Sequence, residues 1–199
     1  MMGSHHRPRS GARRLAAALG TAAALVTSLI VAAPAARAAN PVGFTCDPGA
    51  YRIEALNSGL TVEASLGSGN HGSVAQFWWN GGGNQVWRSC HTAVPGGLEV
   101  YRFINHGNGR CMAVDNRGLE AGTWVITQPC DETDLPHIGN NAQEFWMLQV
   151  DGTRAFALSP QHTQNGTRMW LSAQDHSTAA TAQIIQHREP ELFRLNPIP

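Results

Sequence analysis

The sequence predicts an all-β domain made of three copies of one repeat, and three observations lead to this prediction. Matching residues recur at a constant spacing of fifty in the first two copies. Apolar residues occur in short alternating runs bounded by Gly, Asn and Ser, without a helical stripe. Each copy ends in a polar-x-aromatic step. Such a threefold repeat predicts a barrel, because closure leaves no bare strand edges.

The spacing of fifty begins where Tyr51-Arg52-Ile53 recurs as Tyr101-Arg102-Phe103. The same shift then persists along both copies, which chance would not maintain. The matched pairs are Gly59 and Gly109, Thr61 and Cys111, Val62 and Met112, Ala64 and Val114, and Gly72 and Gly122. We therefore expect the two copies to place their strands at corresponding positions.

The polar-x-aromatic steps and the turn residues mark where the copies end and begin. The steps are Gln85-Val86-Trp87, Gln143-Glu144-Phe145 and Glu191-Leu192-Phe193. The third copy starts near Arg154-Ala155-Phe156, and Pro95-Gly96-Gly97 and Asp151-Gly152 separate the copies. The predicted repeats therefore cover about residues 50–92, 99–148 and 153–196.

The first 38 residues have the order of a secretory signal peptide. Arginines precede an apolar run from Leu15 to Ala33, and the small residues Ala36-Arg37-Ala38 follow it. We expect cleavage after Ala38, which leaves residues 39–199 as one secreted, extracellular domain without membrane association. An uncleaved membrane anchor and, from Arg13-Arg14, twin-arginine export are the alternatives.

The charge of the predicted domain argues against nucleic-acid binding. Five of the 14 basic residues lie within the first 38 positions, whereas all 14 acidic residues follow them. The remaining nine basic residues against 14 acidic residues give a net charge of −5, and the chain has no lysine. Nucleic-acid affinity depends on clustered Lys and Arg, so we expect no nucleic-acid partner.

All four cysteines, Cys46, Cys90, Cys111 and Cys130, lie in the predicted secreted domain. An even number in an exported chain predicts disulfide bonds. Four cysteines allow three pairings. We expect Cys46 with Cys90 and Cys111 with Cys130, because each of these bonds closes a local loop. No C-x-x-C spacing indicates a metal or redox site.

These residues carry a family resemblance. The pattern Gly-x-Cys-x-x-Val from Gly109 to Val114, followed by Cys130 and a terminal Gln-x-aromatic, resembles the ricin B-chain type of β-trefoil lectin, as does the Gln-x-Trp ending at Trp87. The resemblance covers about residues 44–196 and implies a secreted, single-domain carbohydrate-binding lectin of bacterial type. It also implies that the step aromatics Trp87, Phe145 and Phe193 are core residues.

The first repeat contains a strand with one wholly apolar face. Alternation along residues 74–79 puts Ala75, Phe77 and Trp79 on one face and Gln76 and Trp78 on the other. We expect the apolar face to point inward. Gln76 and Trp78 would then point outward, where an exposed tryptophan indicates a bound ligand.

The neighbouring strand adds an acid to that outward face, because Val62 and Ala64 are expected to point inward and Glu63 outward. Sugar sites combine an aromatic ring with carboxylate and amide groups. The family resemblance places the ligand-binding residues at Glu63, Gln76, Trp78, Asn84 and Gln85. We expect a galactose-type sugar or plant-wall polysaccharide to stack on Trp78. The family acid is usually Asp, so Glu63 leaves the sugar and the affinity open.

The other two repeats lack this set of residues. The shift of fifty puts Ala113 at the acid position, Ile126 at the glutamine and Gln128 at the aromatic. Alignment of the third repeat through Gly166 puts Arg168 at the first cysteine, Trp170 at the acid, Gln183 at the glutamine and Ile185 at the aromatic. We therefore expect a single sugar site.

No pattern indicates catalysis, a cofactor or a metal. Histidines 71, 91, 106, 137, 162, 176 and 187 are scattered, and residues 131–134 lack a calcium-loop pattern. The repeats occupy the predicted domain, so we expect no enzyme. The alternative function is a secreted β-trefoil that binds protein, such as a protease inhibitor, through residues 131–141. A structural protein with a vestigial pocket is the third possibility.

Overall fold

The computed structural model describes residue 41 and residues 43–65, 72–130, 143–150 and 153–199. The predicted signal peptide and the candidate protein-binding loop at 131–141 lie outside these ranges. Among the described residues, no helix is long and apolar enough to cross a membrane. Regular structure in this part of the chain consists of β-strands and single turns of 3-10 helix.

The strands of the described residues are numbered in chain order. They are β1 (Thr45–Cys46), β2 (Ala50–Ala55), β3 (Thr61–Ala64), β4 (Gly72–Phe77), β5 (Trp87–Val94), β6 (Leu98–Asn105), β7 (Cys111–Val114), β8 (Val125–Gln128), β9 (Phe145–Gln149), β10 (Ala155–Pro160), β11 (Trp170–Ala173), β12 (Ile184–His187) and β13 (Phe193–Ile198). Apart from β1, they form three successive units of four strands.

The first and last strands of each unit close into a barrel. β2 pairs with β5, β5 with β6, β6 with β9, β9 with β10, β10 with β13, and β13 with β2, all antiparallel. The ring therefore leaves none of these six strands with a bare edge, as the sequence predicted. β1 lies outside the ring and pairs with β5.

The two middle strands of each unit form a hairpin. These hairpins are β3–β4, β7–β8 and β11–β12. They also touch one another, because β4 pairs with β8 at Gly72 and Thr127, and isolated bridges join Ala75 to Gln183 and Trp124 to Ile185. A six-stranded barrel with three contacting hairpins is a β-trefoil, and the predicted fold is confirmed.

The core contains the aromatic residue of each polar-x-aromatic step. Trp87, Phe145 and Phe193 begin β5, β9 and β13, and all three are buried. They belong to one apolar cluster that also contains Val74, Val125 and Ile184 from the hairpins. The predicted core role of the three aromatics is confirmed. The Trp87 indole Nε1 also donates a hydrogen bond to the Val62 carbonyl at 2.9 Å.

The polar residue of each step is also buried and bonds to its own unit. Gln143 Nε2 donates to the Pro129 carbonyl at 2.6 Å. Glu191 Oε2 accepts a hydrogen bond from the Ala173 backbone N–H at 2.6 Å. Gln85 makes the corresponding contacts in the first unit, where it forms part of the candidate site. The step therefore pairs a core aromatic with a buried internal hydrogen bond.

Both predicted disulfides are present. Cys46–Cys90 joins β1 to β5, and Cys111–Cys130 joins β7 to the segment after β8. The second bond lies within the β7–β8 hairpin unit, where it joins two segments that are already neighbours. The observed pairing is the one expected from the local loop that each bond closes.

The repeat-start tyrosines each lie beside a carboxylate. Burial raises the pKa of Tyr51, and the negative charge of Asp47 adds to the increase. Burial also raises the pKa of Tyr101 to about 12, with a further contribution from its hydrogen bond to Glu99 at 2.7 Å. The folded protein thus holds the Tyr101 proton more tightly than the unfolded chain, in which the pKa is 10.0.

We expect both tyrosines to ionise above pH 10 in the folded protein, Tyr101 last. The stability contributed by Tyr101 is complete below pH 10 and is lost as the pH rises toward about 12. Tyrosinate absorbance during an alkaline titration, with urea midpoints at each pH, measures both effects. Glu99→Gln removes the neighbouring charge and should lower the titration point of Tyr101 while leaving Tyr51 unchanged. Titration of both phenols at pH 10 would contradict this expectation.

Candidate functional site

A surface cleft of about 320 Å³ opens beside the first-unit hairpin. It lies between β3 and β4, the 3-10 turn before β5, and the segment before β12. The residues that line it are Glu63, Ser65, Ser73, Ala75, Phe77, Asn84, Thr181 and Gln183. Glu63 is the one ionisable side chain among these described lining residues. The cleft therefore presents a single carboxylate among hydroxyl and amide groups.

The register of the β3–β4 hairpin determines which side chains reach the cleft. Glu63 lies opposite Ala75, and residues directly opposite in an antiparallel pair share a face. By alternation, Ser73 and Phe77 lie on the same face of β4 as Ala75. Glu63 is partly exposed between the buried Val62 and Ala64, so its predicted outward orientation is confirmed.

The predicted outward orientation of Gln76 is wrong. Gln76 is 0% exposed. Its amide oxygen accepts a hydrogen bond from the Ser58 hydroxyl at 2.8 Å. Its amide nitrogen donates to the carbonyls of Ser177 at 2.6 Å and Ala179 at 3.0 Å. Gln76 therefore holds the first unit against the third and does not face the cleft.

The same register corrects the orientation of Ala75 and Phe77, which were expected to point inward. Ala75 is covered by the neighbouring unit, with which it forms a bridge at Gln183, and Phe77 is only partly buried at the cleft. Alternation shows which residues share a face of a strand, but it does not show which face packs toward the barrel. Here Val74 and Gln76 occupy the barrel side, because contacts from the third unit satisfy the Gln76 amide.

Gln85 links the cleft carboxylate to the backbone. Gln85 is buried, and its Nε2 donates to Glu63 Oε2 and to the Trp78 carbonyl, each at 2.8 Å. Its Oε1 accepts a hydrogen bond from the Asn80 backbone N–H at 2.8 Å. No described residue donates to Glu63 Oε1. Gln85 therefore orients the Glu63 carboxylate while leaving one of its oxygens available to a ligand.

Asn84 lies on a 3-10 turn that the second unit holds in place. Asn105 Nδ2 donates to the Asn84 carbonyl at 2.8 Å and to the Val86 carbonyl at 3.3 Å. The Gly107 N–H donates to the Gly83 carbonyl at 2.9 Å, and a Cβ at Gly107 would lie 2.8 Å from the Asn84 nitrogen. Only glycine allows this close backbone approach. The Asn84 side chain thus reaches the cleft from a rigid support.

Two consecutive aromatic residues differ in their relation to the cleft. Trp78 is 72% exposed, and its carbonyl is held by the same Gln85 amide that holds Glu63. Phe77 lines the cleft itself. Trp78 was the predicted stacking residue, and Phe77 was not predicted, because the inner and outer faces of β4 were expected the other way round. The β3–β4 register, which places Glu63 opposite Ala75, is the feature that could have identified Phe77 as a cleft residue.

Comparison with known proteins agrees with this geometry. Residues 42–128 match the family described as ricin-type β-trefoil lectin domain-like. This part of the chain is thus similar to a ricin-type lectin-like domain. The predicted family resemblance is therefore confirmed. A search of curated proteins found no match to the chain.

Solved structures share the fold of the lectin-like domain. The designed threefold-symmetric protein ThreeFoil is 22% identical with a TM-score of 0.60, and the match covers 74% of this chain and 97% of ThreeFoil. The Rhizoctonia solani agglutinin is 13% identical with a TM-score of 0.56, covering 77% and 98% of the two chains. The exo-β-1,3-galactanase of Clostridium thermocellum is 19% identical with a TM-score of 0.62, covering 76% of this chain and 31% of the enzyme. At these sequence identities, the structural similarity shows the fold alone.

The structure also corrects the alignment of the second and third units with the first unit. Thr127 and Gln186 occupy the β8 and β12 positions that correspond to Gln76, and both are buried. Thr127, rather than Ile126, therefore matches Gln76. In β11, Trp170 corresponds to the first cysteine position and Ser172 to the acid. Arg168 and Trp170 were thus each assigned to a position two residues too late in the repeat.

Proposed function

We propose that the lectin-like domain binds carbohydrate, without catalysis, in the cleft of the first unit. The observation that carries this proposal is the Glu63 carboxylate, which Gln85 fixes at an open cleft beside the Asn84 amide. A carboxylate accepts hydrogen bonds from sugar hydroxyls, and an amide can both donate and accept. Of the five predicted ligand-binding residues, Glu63 and Asn84 keep direct roles in this proposal.

The remaining predicted residues receive different roles. Gln85 positions Glu63 from within the protein, and Gln76 supports the hairpin, because both are fully buried. The apolar face of a sugar ring requires an aromatic platform. Phe77 lines the cleft, and the next residue, Trp78, exposes its ring to solvent. We propose that Phe77 contacts the first sugar residue and that Trp78 stacks against the next residue of a longer glycan.

The size of the cleft favours a small glycan unit. A volume of about 320 Å³ is at the lower end of ligand pockets, which span roughly 300–1,000 Å³. We propose a galactose-type sugar or a plant-wall polysaccharide end as the ligand. The longer side chain of Glu63 extends the carboxylate farther into the cleft than Asp would.

The two disulfides support our proposal that the domain is secreted after removal of residues 1–38.

A glycan array of the disulfide-bonded protein tests this proposal. We expect the parent to bind one sugar class and Glu63→Gln to lose at least ten-fold in affinity. Phe77→Leu should weaken binding of every ligand, whereas Trp78→Ala should weaken mainly the longer glycans. Glu120→Gln and Trp124→Ala are matched controls, since they change an exposed acid and an exposed tryptophan of the second unit.

The outcomes separate this proposal from its competitors. Retained binding in folded Glu63→Gln would exclude the cleft as the sugar site. Absence of binding to any glycan by the folded parent would contradict the lectin proposal. A pull-down with secreted proteases and other extracellular proteins would then test the protein-binding alternative.

A further inference from the structure

Two histidines and a glutamate come together in the third unit. His176 ends the 3-10 turn after β11, His187 ends β12, and Glu189 follows two residues later. Their potential ligand atoms all lie within 4.8 Å of one another. The two histidines are eleven positions apart in the sequence, so their spacing did not predict this cluster. The β11–β12 hairpin places them side by side, with their ring centres 4.5 Å apart.

The ring nitrogen of His176 that faces the cluster lacks a hydrogen-bond partner. His176 Nε2 is buried and lies 3.6 Å from Glu189 Oε2, beyond hydrogen-bonding distance. A buried polar atom without a partner is costly and requires a physical explanation. A metal ion between the imidazole and the carboxylate would satisfy this nitrogen.

The opposite nitrogen of His176 is already held by the protein. His176 Nδ1 lies 3.1 Å from the Ser172 hydroxyl, which lies 3.2 Å from Glu191 Oε2. Such outer contacts commonly fix the tautomer of a metal-binding histidine and leave the other nitrogen free to coordinate. His187 Nδ1 accepts a hydrogen bond from the Glu189 backbone N–H at 3.1 Å and lies 3.4 Å from the Glu189 carbonyl. Coordination through His187 Nε2 therefore requires the tautomer in which Nδ1 donates to that carbonyl.

One member of the cluster, Glu189, lies where the second unit has a disulfide cysteine. Trp170 lies opposite His187 in the third unit, just as Cys111 lies opposite Gln128 in the second. Glu189 therefore occupies the position that corresponds to Cys130. The third unit has no cysteine, so its hairpin lacks the covalent link of Cys111–Cys130. A metal bound by the cluster would link the segment after β12 to the 3-10 turn after β11, rather than to the start of β11.

From these contacts, we infer that His176, His187 and Glu189 bind a divalent transition-metal ion of the zinc type. Two imidazoles and one carboxylate suit Zn²⁺, and a water molecule can complete its tetrahedral shell. Tetrahedral ligands at about 2.1 Å from zinc lie roughly 3.4 Å apart. His176 Nε2 and Glu189 Oε2 already lie 3.6 Å apart, and the exposed Glu189 side chain can rotate to adjust this distance. The site would be a structural link, since none of its three residues lines the sugar cleft.

Metal titration of the full chain tests this inference. We expect one Zn²⁺ to bind per chain with a rise in the thermal midpoint, because a ligand of the native state stabilises it. Co²⁺ should give the visible absorption of a tetrahedral site, a signal that a stability change alone cannot produce. His176→Gln and His187→Gln should each weaken Zn²⁺ binding at least ten-fold, and Glu189→Gln should weaken it less. His106→Gln changes an exposed histidine and is the matched control.

Specific results would contradict the proposed metal site. Zn²⁺ binding that is unchanged in both His176→Gln and His187→Gln, or absent in the parent, would overturn the inference. Binding that is lost only when His5 and His6 are replaced would assign the metal to the N-terminal segment instead. Chelation should leave glycan affinity unchanged, so failure of the metal site and failure of the sugar site are distinguishable.

Discussion

Trp87→Ala is expected to lower the free energy of unfolding by about 3–5 kcal/mol. The side chain is fully buried and packs in the cluster to which all three units contribute. Its truncation leaves a cavity at the barrel and removes the hydrogen bond from Nε1 to the Val62 carbonyl. Since small domains have a total stability of about 5–15 kcal/mol, the variant should be close to unfolding at physiological temperature.

Urea denaturation monitored by circular dichroism measures the effect, and Trp78→Ala is the matched control. Trp78 is the same residue type but is 72% exposed, so its truncation should change stability by less than about 0.5 kcal/mol. Trp87→Phe keeps most of the buried ring surface and should recover much of the loss. Equal destabilisation by Trp87→Ala and Trp78→Ala would contradict the assignment of Trp87 to the core.

The barrel was predictable because its determinants are repeated in the sequence. Trp87, Phe145 and Phe193 follow their buried polar partners at the same spacing in each unit, so one repeated pattern specifies three equivalent strand starts. The disulfides were predictable because each closes a loop between segments that were expected to be neighbours. Features that depend on local spacing and on repetition are therefore available from the sequence.

The orientation of β4 was not predictable in the same way. Alternation placed Gln76 opposite to Ala75 and Phe77, which is correct, but a polar residue on the inner face was not expected. The stabilising partners of Gln76 lie about one hundred residues away, at the Ser177 and Ala179 carbonyls. Only the packing of the third unit on the first reveals that a buried amide can be satisfied there.

Gln85→Leu is expected to weaken glycan binding at least ten-fold, although Gln85 is buried and cannot reach a ligand. Leucine cannot hold Glu63 Oε2 or bond to the Trp78 carbonyl and the Asn80 N–H. The freed Glu63 carboxylate would sample several rotamers, and binding would have to order it again. Titration calorimetry with the sugar found on the array measures this loss.

The control for Gln85→Leu is Gln143→Leu, which removes the equivalent buried amide in the second unit. Gln143 bonds to the Pro129 carbonyl but to no acid in the cleft. Both variants should lose about 1–3 kcal/mol of stability, because each removes a partly buried hydrogen bond from a side-chain amide to a backbone carbonyl. Only Gln85→Leu should lose affinity. If glycan affinity falls equally in both variants, general destabilisation explains the effect. If affinity falls in Gln85→Leu alone, Gln85 positions the Glu63 carboxylate of the sugar site.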